Sequence, residues 1–170
     1  MKLAFARVNT AEEIDEVAQL ATEIWHEYYI AILTVEQIDY MIDKYQSVPA
    51  ITDQIRHQGY EYYLLRDGGS AAVGYMAVKQ EADKLFLSKF YIRKECRGRG
   101  YASQAIVFLE QLCKDRNLRH IWLTVNRHNK SSIAIYERKG FRIDREQVAD
   151  IGNGFVMDDY VMIKDIAGAN

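Results

Sequence analysis

The sequence predicts an α+β domain built on one mixed sheet of about seven strands flanked by helices. Three observations carry this. The first third has apolar residues at helical spacing, the next third is a run of β-prone segments around a turn signal, and the last third alternates helix and strand after a glycine turn. A hydrophobic content of 49% over 170 residues closes a single core, while one proline and no low-complexity tract argue against a linker. One domain spanning residues 1–170 is expected, ordered apart from its ends.

Lys2 to Val8 alternates weakly and reads as an edge strand. Thr10 with Glu13 forms a capping box for a helix carrying Ile14, Val17, Ala18, Ala21, Ile24 and Trp25 on one face. Thr34 with Gln37 starts a second helix, and a short third helix follows Pro49. Tyr60 to Leu65 is a strand, Asp67-Gly68-Gly69 a hairpin turn signal, Ala72 to Val78 the return strand, and Leu85 to Ile92 the third strand of the meander. A helix from about Ala102 to Arg116 then leads to a buried strand, Ile121 to Val125. A helix from Lys130 to Lys139 ends at Gly140, and strands Phe141 to Val148 and Phe155 to Ile163 complete the chain. With its two principal early helices the order is β-α-α-β-β-β-α-β-α-β-β, and no segment repeats.

No secretory leader and no stretch near the roughly 20 apolar residues of a membrane span are present, so a cytoplasmic protein is expected. Cys96 and Cys113 match no metal spacing and read as reduced thiols, and His57, His120 and His128 show no ligand pattern, so no metal is expected. Charge is unevenly distributed. From Leu85 to Arg145 fourteen basic residues face five acids, a surplus of +9 that leaves −11 for the remainder of a chain of net charge −2.

The basic surplus centres on Arg97-Gly98-Arg99-Gly100-Tyr101-Ala102, where a strand runs through a glycine turn into the helix beginning with Ser103. The first N–H groups of such a helix lack intrahelical partners and its dipole is positive there, which suits phosphate oxygens. Gly98 and Gly100 let backbone approach an anion or supply φ > 0, and Arg97 and Arg99 add charge. A Walker A loop is absent, and a dinucleotide fingerprint fails because Ser103 replaces its last glycine and Asn126 ends the next strand. No nucleic-acid recognition motif accompanies the basic patch.

Leu87-Ser88-Lys89-Phe90-Tyr91-Ile92 followed by Arg97-x-x-Gly100-x-Ala102 resembles the Gln/Arg-x-x-Gly-x-Gly/Ala motif of the GNAT N-acetyltransferase superfamily. Leu123-x-Val125-Asn126-x-x-Asn129, continuing to Ile133-Ala134-x-Tyr136-x-x-x-Gly140-Phe141, is similar to that family's strand-helix segment. The likeness is to small single-domain members of the PaiA or polyamine-acetyltransferase kind, and covers Leu85 to Phe141 in detail.

The resemblance implies a GNAT-like fold, acetyl-CoA as cosubstrate, and a strand that splays from its neighbour to admit the pantetheine arm. Backbone of Phe90, Tyr91 and Ile92 would hold the arm, and Arg97 to Ser103 would hold the pyrophosphate. Asn129 would contact the arm or phosphates, and Tyr136 would protonate the leaving thiolate as general acid. Lys94 stands where the family often has proline. The usual strand carboxylate is also missing, which leaves Glu81, Asp83, Glu27 and His26 as candidate bases. Without a base the chain would be a non-catalytic acyl-CoA sensor instead. Glu27, Tyr28, Tyr29 and Asp159 are acceptor-site candidates. The expected acceptor is a primary amine, small or peptidic and cationic given the −11 remainder, taken by direct transfer in a ternary complex. Neither nucleic acid nor membrane is expected as a partner, and a homodimer is left open.

Overall fold

The computed structural model describes residues 2–69 and 71–167 of the chain. The extreme ends, for which the sequence predicts less order, lie outside the described residues. In chain order the elements are β1 (Ala4–Arg7), α1 (Ala11–Tyr29), α2 (Val35–Tyr45), α3 (Val48–His57), β2 (Tyr60–Arg66), β3 (Gly74–Glu81) and β4 (Lys84–Ile92). A 3₁₀ turn (Lys94–Cys96), α4 (Tyr101–Arg116), β5 (His120–Asn126), α5 (Lys130–Arg138), β6 (Arg142–Gly152) and β7 (Phe155–Asp165) follow. The strands form one mixed seven-stranded sheet, β1-β2-β3-β4-β5-β7-β6. Local signals explain most boundaries. Thr10 Oγ1 accepts from Glu13 N at 3.2 Å while Glu13 Oε1 accepts from Thr10 N at 2.9 Å, the expected capping box. The short helix expected after Pro49 is a full ten residues, Val48–His57, with Pro49 in its first turn and Ser47 as its cap, so the order gains a third early helix.

The chain divides into two compact units, Met1–Lys79 with Lys89–Tyr101, and Gln80–Ser88 with Ala102–Asn170. The first holds α1 to α3 and the antiparallel β1-β2-β3 set, and buries Val17, Leu20, Ile24, Trp25, Ile38, Ile51 and Tyr62 to Leu65. Gly74 is required by close approach, since a Cβ there would lie 2.2 Å from the Tyr91 carbonyl oxygen. The second unit pairs the start of β4 with β5 in parallel, from Lys84↔His120 to Phe86↔Trp122, and β5 with β7 antiparallel over the full length of β5. Leu85, Leu109, Leu118, Ile121 and Met162 fill its core.

β6 and β7 each run eleven residues, longer than predicted. Register shifts between Ile143 and Arg145 and between Asp150 and Gly152 break the alternation that marks strand ends in sequence. No helix among the described residues is long and apolar enough to cross a membrane.

Candidate functional site

The turn into α4 is built by conformation. Gly98 and Gly100 have φ of +78° and +79°, and a Cβ on either would meet nothing within 4 Å. Glycine is needed here for the left-handed backbone, not for lack of room, and the open space in front of the turn is what an incoming anion requires. Tyr101 then begins α4, buried at 3% exposure, with its hydroxyl donating to Asp67 Oδ2 at 3.1 Å. Tyr101 therefore anchors the turn through its ring and hydroxyl and offers an anion only its backbone N–H. In the next turn Ser103 Oγ accepts from Lys139 Nζ.

The two arginines of the turn differ. Arg97 donates through Nη2 and Nη1 to Glu27 at 2.6 and 3.2 Å, and through Nε to the Ile92 carbonyl at 3.0 Å. Its guanidinium also lies 4.8 Å from the Tyr28 ring centroid. This bidentate, stacked arginine ties the end of α1 to the chain after β4. Glu27 is therefore half of an ion pair. Arg99 is 51% exposed, donates to the Glu95 carbonyl at 3.2 Å, and lies 4.0 Å from Asp67, which leaves it the more available of the two for a phosphate.

Around Arg97 the first unit gathers an aromatic cluster. The rings of Trp25, Tyr28 and Tyr29 lie 5.5, 6.2 and 6.1 Å from that of Tyr91, and the Tyr29 and Tyr91 hydroxyls share a hydrogen bond of 2.7 Å. Beneath them Trp25 Nε1 donates to the Tyr75 hydroxyl, which donates to Gln46 Oε1. Burial pushes the Tyr75 hydroxyl well above its ordinary range. The acceptor candidates Tyr28 and Tyr29 thus meet Tyr91 of the strand expected to hold the donor arm, while Phe90 is half-buried and Ile92 is buried.

The His26 ring nitrogens lie 2.7 Å from the Thr22 carbonyl and 2.5 Å from Asp39 Oδ1, and both partners raise its pKa. Glu81 and Asp83 are exposed at the β3-β4 turn. Glu81 lines a cavity of about 300 Å³ with Trp122, Val161 and Ile163, at the start of β5. That is four residues, roughly 13 Å, from Asn126 at the end of the strand.

In the second unit, Asn129 is 7% exposed, and its side-chain oxygen accepts from Ser132 N at 3.3 Å, capping α5. Tyr136 projects half-buried from α5, its ring 5.5 Å from that of Phe141. Asp159 is 5% exposed on β7, opposite Asn126 on β5 and Gln147 on β6. Its Oδ1 is buried without a hydrogen-bond partner, and burial, reinforced by Asp158, pushes its pKa up to about 6. Among the candidate carboxylates only Asp159 combines burial with an unsatisfied oxygen. The sequence offers Asp159 as an acceptor residue but not its burial, and gives no sign of the Arg97–Glu27 pair.

Neither cysteine is placed as a nucleophile, since both are buried and burial pushes Cys113 up to about 11. Among the described residues no cluster of three or more His, Cys, Asp or Glu is placed to hold a metal. The turn does suit the pyrophosphate of a nucleotide-bearing thioester, for it offers left-handed glycines facing open space, a helix N-terminus and an exposed arginine.

Residues 16–141 match the acetyltransferase (GNAT) family. The spermidine N(1)-acetyltransferase of Thermoplasma acidophilum is 23% identical over 150 residues, 86% of this chain and 91% of that protein. The crystal structure of the PaiA N-acetyltransferase from Thermoplasma acidophilum in complex with coenzyme A superposes with a TM-score of 0.80 at 20% identity, covering 97% of this chain and 99% of that one. A GCN5-related N-acetyltransferase structure from Rhodopseudomonas palustris gives 0.79 at 14% identity, covering 97% and 96%. With the family matched over most of its length and the fold shared throughout, the chain belongs to the GNAT acetyltransferase family and is an acyltransferase whose acyl donor is acetyl-CoA.

Proposed function

We propose that the 170 residues act as one cytoplasmic N-acetyltransferase domain that transfers the acetyl group of acetyl-CoA directly to a cationic primary amine in a ternary complex. The observation that carries this reading is the pair of left-handed glycines opening α4, with free space before them and Arg99 exposed beside them. Backbone N–H groups from Gly98 to Ser103 hold the pyrophosphate. Backbone of Phe90 to Ile92 holds the pantetheine arm, with Asn129 near it. The bound donor supplies an activated thioester. Tyr136 donates a proton to the departing thiolate, the step in which a hydrogen-bond donor helps most.

Direct transfer is supported by the two buried cysteines, one of them held protonated by its surroundings. A cationic acceptor is supported by the acidic surplus outside the donor segment and by the spermidine acetyltransferase among the relatives. Thiol release from acetyl-CoA, followed across polyamines, basic and acidic amino acids and peptides, tests the reading. Turnover is expected to be highest with polyamines. Tight coenzyme A binding with no thiol release for any amine would replace the enzyme reading with a non-catalytic sensor.

A further inference from the structure

The structure leaves one acid buried and unused, and we propose that Asp159 is the proton acceptor for the amine, the base that β4 lacks. The inference rests on the transferase reading above and assigns it a residue. Asp159 sits on β7 where β5 ends, and the register pairs it with Asn126. The chain turns there at once, with Asn129 N donating to the Asn126 carbonyl at 2.9 Å, and enters α5, which carries Tyr136. One end of the second unit therefore collects an acid, an amide-capped helix start and the helix of the proposed acid donor.

The residues that pair with Asp159 across the sheet do not neutralise it. Its cross-strand neighbours Asn126 and Gln147 are uncharged, and Asn126 Oδ1 is committed to the His128 N–H at 2.9 Å. Arg127, on the chain just after Asn126, is engaged by other groups. Its Nε lies 2.8 Å from Asp158 Oδ1, its Nη2 3.2 Å from Glu146 Oε1, and its guanidinium 5.1 Å from the Tyr160 ring centroid. A buried carboxyl oxygen without a partner destabilises a fold and calls for an explanation. An arriving ammonium supplies the missing donor. The carboxylate then takes one N–H proton, the freed lone pair attacks the thioester carbonyl, the C–N bond forms and the C–S bond breaks. The amine's second proton balances the thiolate through Tyr136, and Asp159 returns its proton to solvent.

The test is the pH dependence of kcat/KM for a polyamine in wild type, Asp159→Asn and Asp159→Glu, beside acetyl-CoA affinity and thermal stability. If Asp159 deprotonates bound ammonium, wild-type kcat/KM rises through pH of about 6 and then stays level to about 9. Asp159→Asn should lose roughly 100-fold or more at pH 7 and acquire a slope of about tenfold per pH unit, because only free neutral amine then reacts. Asp159→Glu should keep the level region at reduced kcat. Acetyl-CoA affinity should stay within about twofold for both, since neither touches the turn.

Stability gives an independent readout. A pKa raised above its unfolded value stabilises the fold when protonated and is lost as pH rises through about 6, so removing the charge with Asn should raise Tm at pH 8. A structural acid would lower it. Wild-type kcat/KM that already climbs tenfold per unit, or Asp159→Asn within threefold of wild type, would overturn the assignment while leaving the transferase reading intact. A wild type silent with every amine would remove both.

Discussion

The turn after β4 and the end of β7 treat charge in opposite ways. At the turn Arg97 is bidentate with Glu27, and nearby Arg93 pairs with Glu23 at 2.5 Å. Farther along the same unit Arg66 pairs with Glu16 at 2.8 Å. Each pair links residues 50 or 70 positions apart. At the end of β7, Arg127 is spent on Asp158 and Glu146, and the more deeply buried Asp159 is left with an unsatisfied oxygen. A paired charge is fixed in geometry and protonation state, and it holds elements in place. An unpaired buried acid is held only by packing, and its proton affinity is set by desolvation. The first arrangement suits a scaffold around a bound donor, and the second suits a group that must exchange a proton.

This contrast can be broken at either end. The largest effect is expected from Gly100→Glu, which puts a side chain at φ +79° and a carboxylate in the open space before the turn. Acetyl-CoA affinity measured by calorimetry should fall by roughly 100-fold or more, and unchanged affinity would remove the phosphate assignment. Tyr136→Phe should leave that affinity nearly intact and lower kcat by about 10- to 100-fold, because only the leaving step loses its donor. An unchanged kcat would return Tyr136 to packing against Phe141.

The smallest effect is expected from Glu27→Gln, which breaks the bidentate pair. Both side chains are about one-third exposed, so solvent screening limits the stability loss to roughly 1 kcal/mol in denaturant unfolding. The acceptor KM should rise several-fold because Tyr28 and Tyr29 lose their tether, with kcat and acetyl-CoA affinity little changed. A large drop in kcat with unchanged KM would instead make Glu27 the base and reverse the contrast.

Much of the scaffold was legible because its signals are local. Thr10 with Glu13, Thr34 with Gln37, and the glycines after β4 announce helix starts within three or four residues of themselves. The third early helix was read as short because its buried face rests on Ile51 alone, with Ile55 half-exposed. β6 was cut short because exposed residues and two register shifts erase its alternation. The glycine turn is legible because its signal is local backbone chemistry, two glycines just ahead of a helix. Arg97 reads as a phosphate ligand in sequence, and its partner Glu27, 70 residues away, leaves no local trace. Asp159 reads in sequence as an acceptor candidate on an acidic Asp158-Asp159 pair, with no sign that it is buried. Its burial comes from the register Asn126↔Asp159, and no spacing along the chain specifies that pairing.

The contrast rests most directly on the protonation of Asp159, which side-chain carboxyl ¹³C shifts follow through a pH titration of aspartate-labelled protein, with Asp159→Asn identifying the resonance. A midpoint near 6, falling when a polyamine binds, is the expected result. A midpoint near the ordinary value of about 3.9 would mean that Asp159 is solvated or paired after all, and would contradict the account.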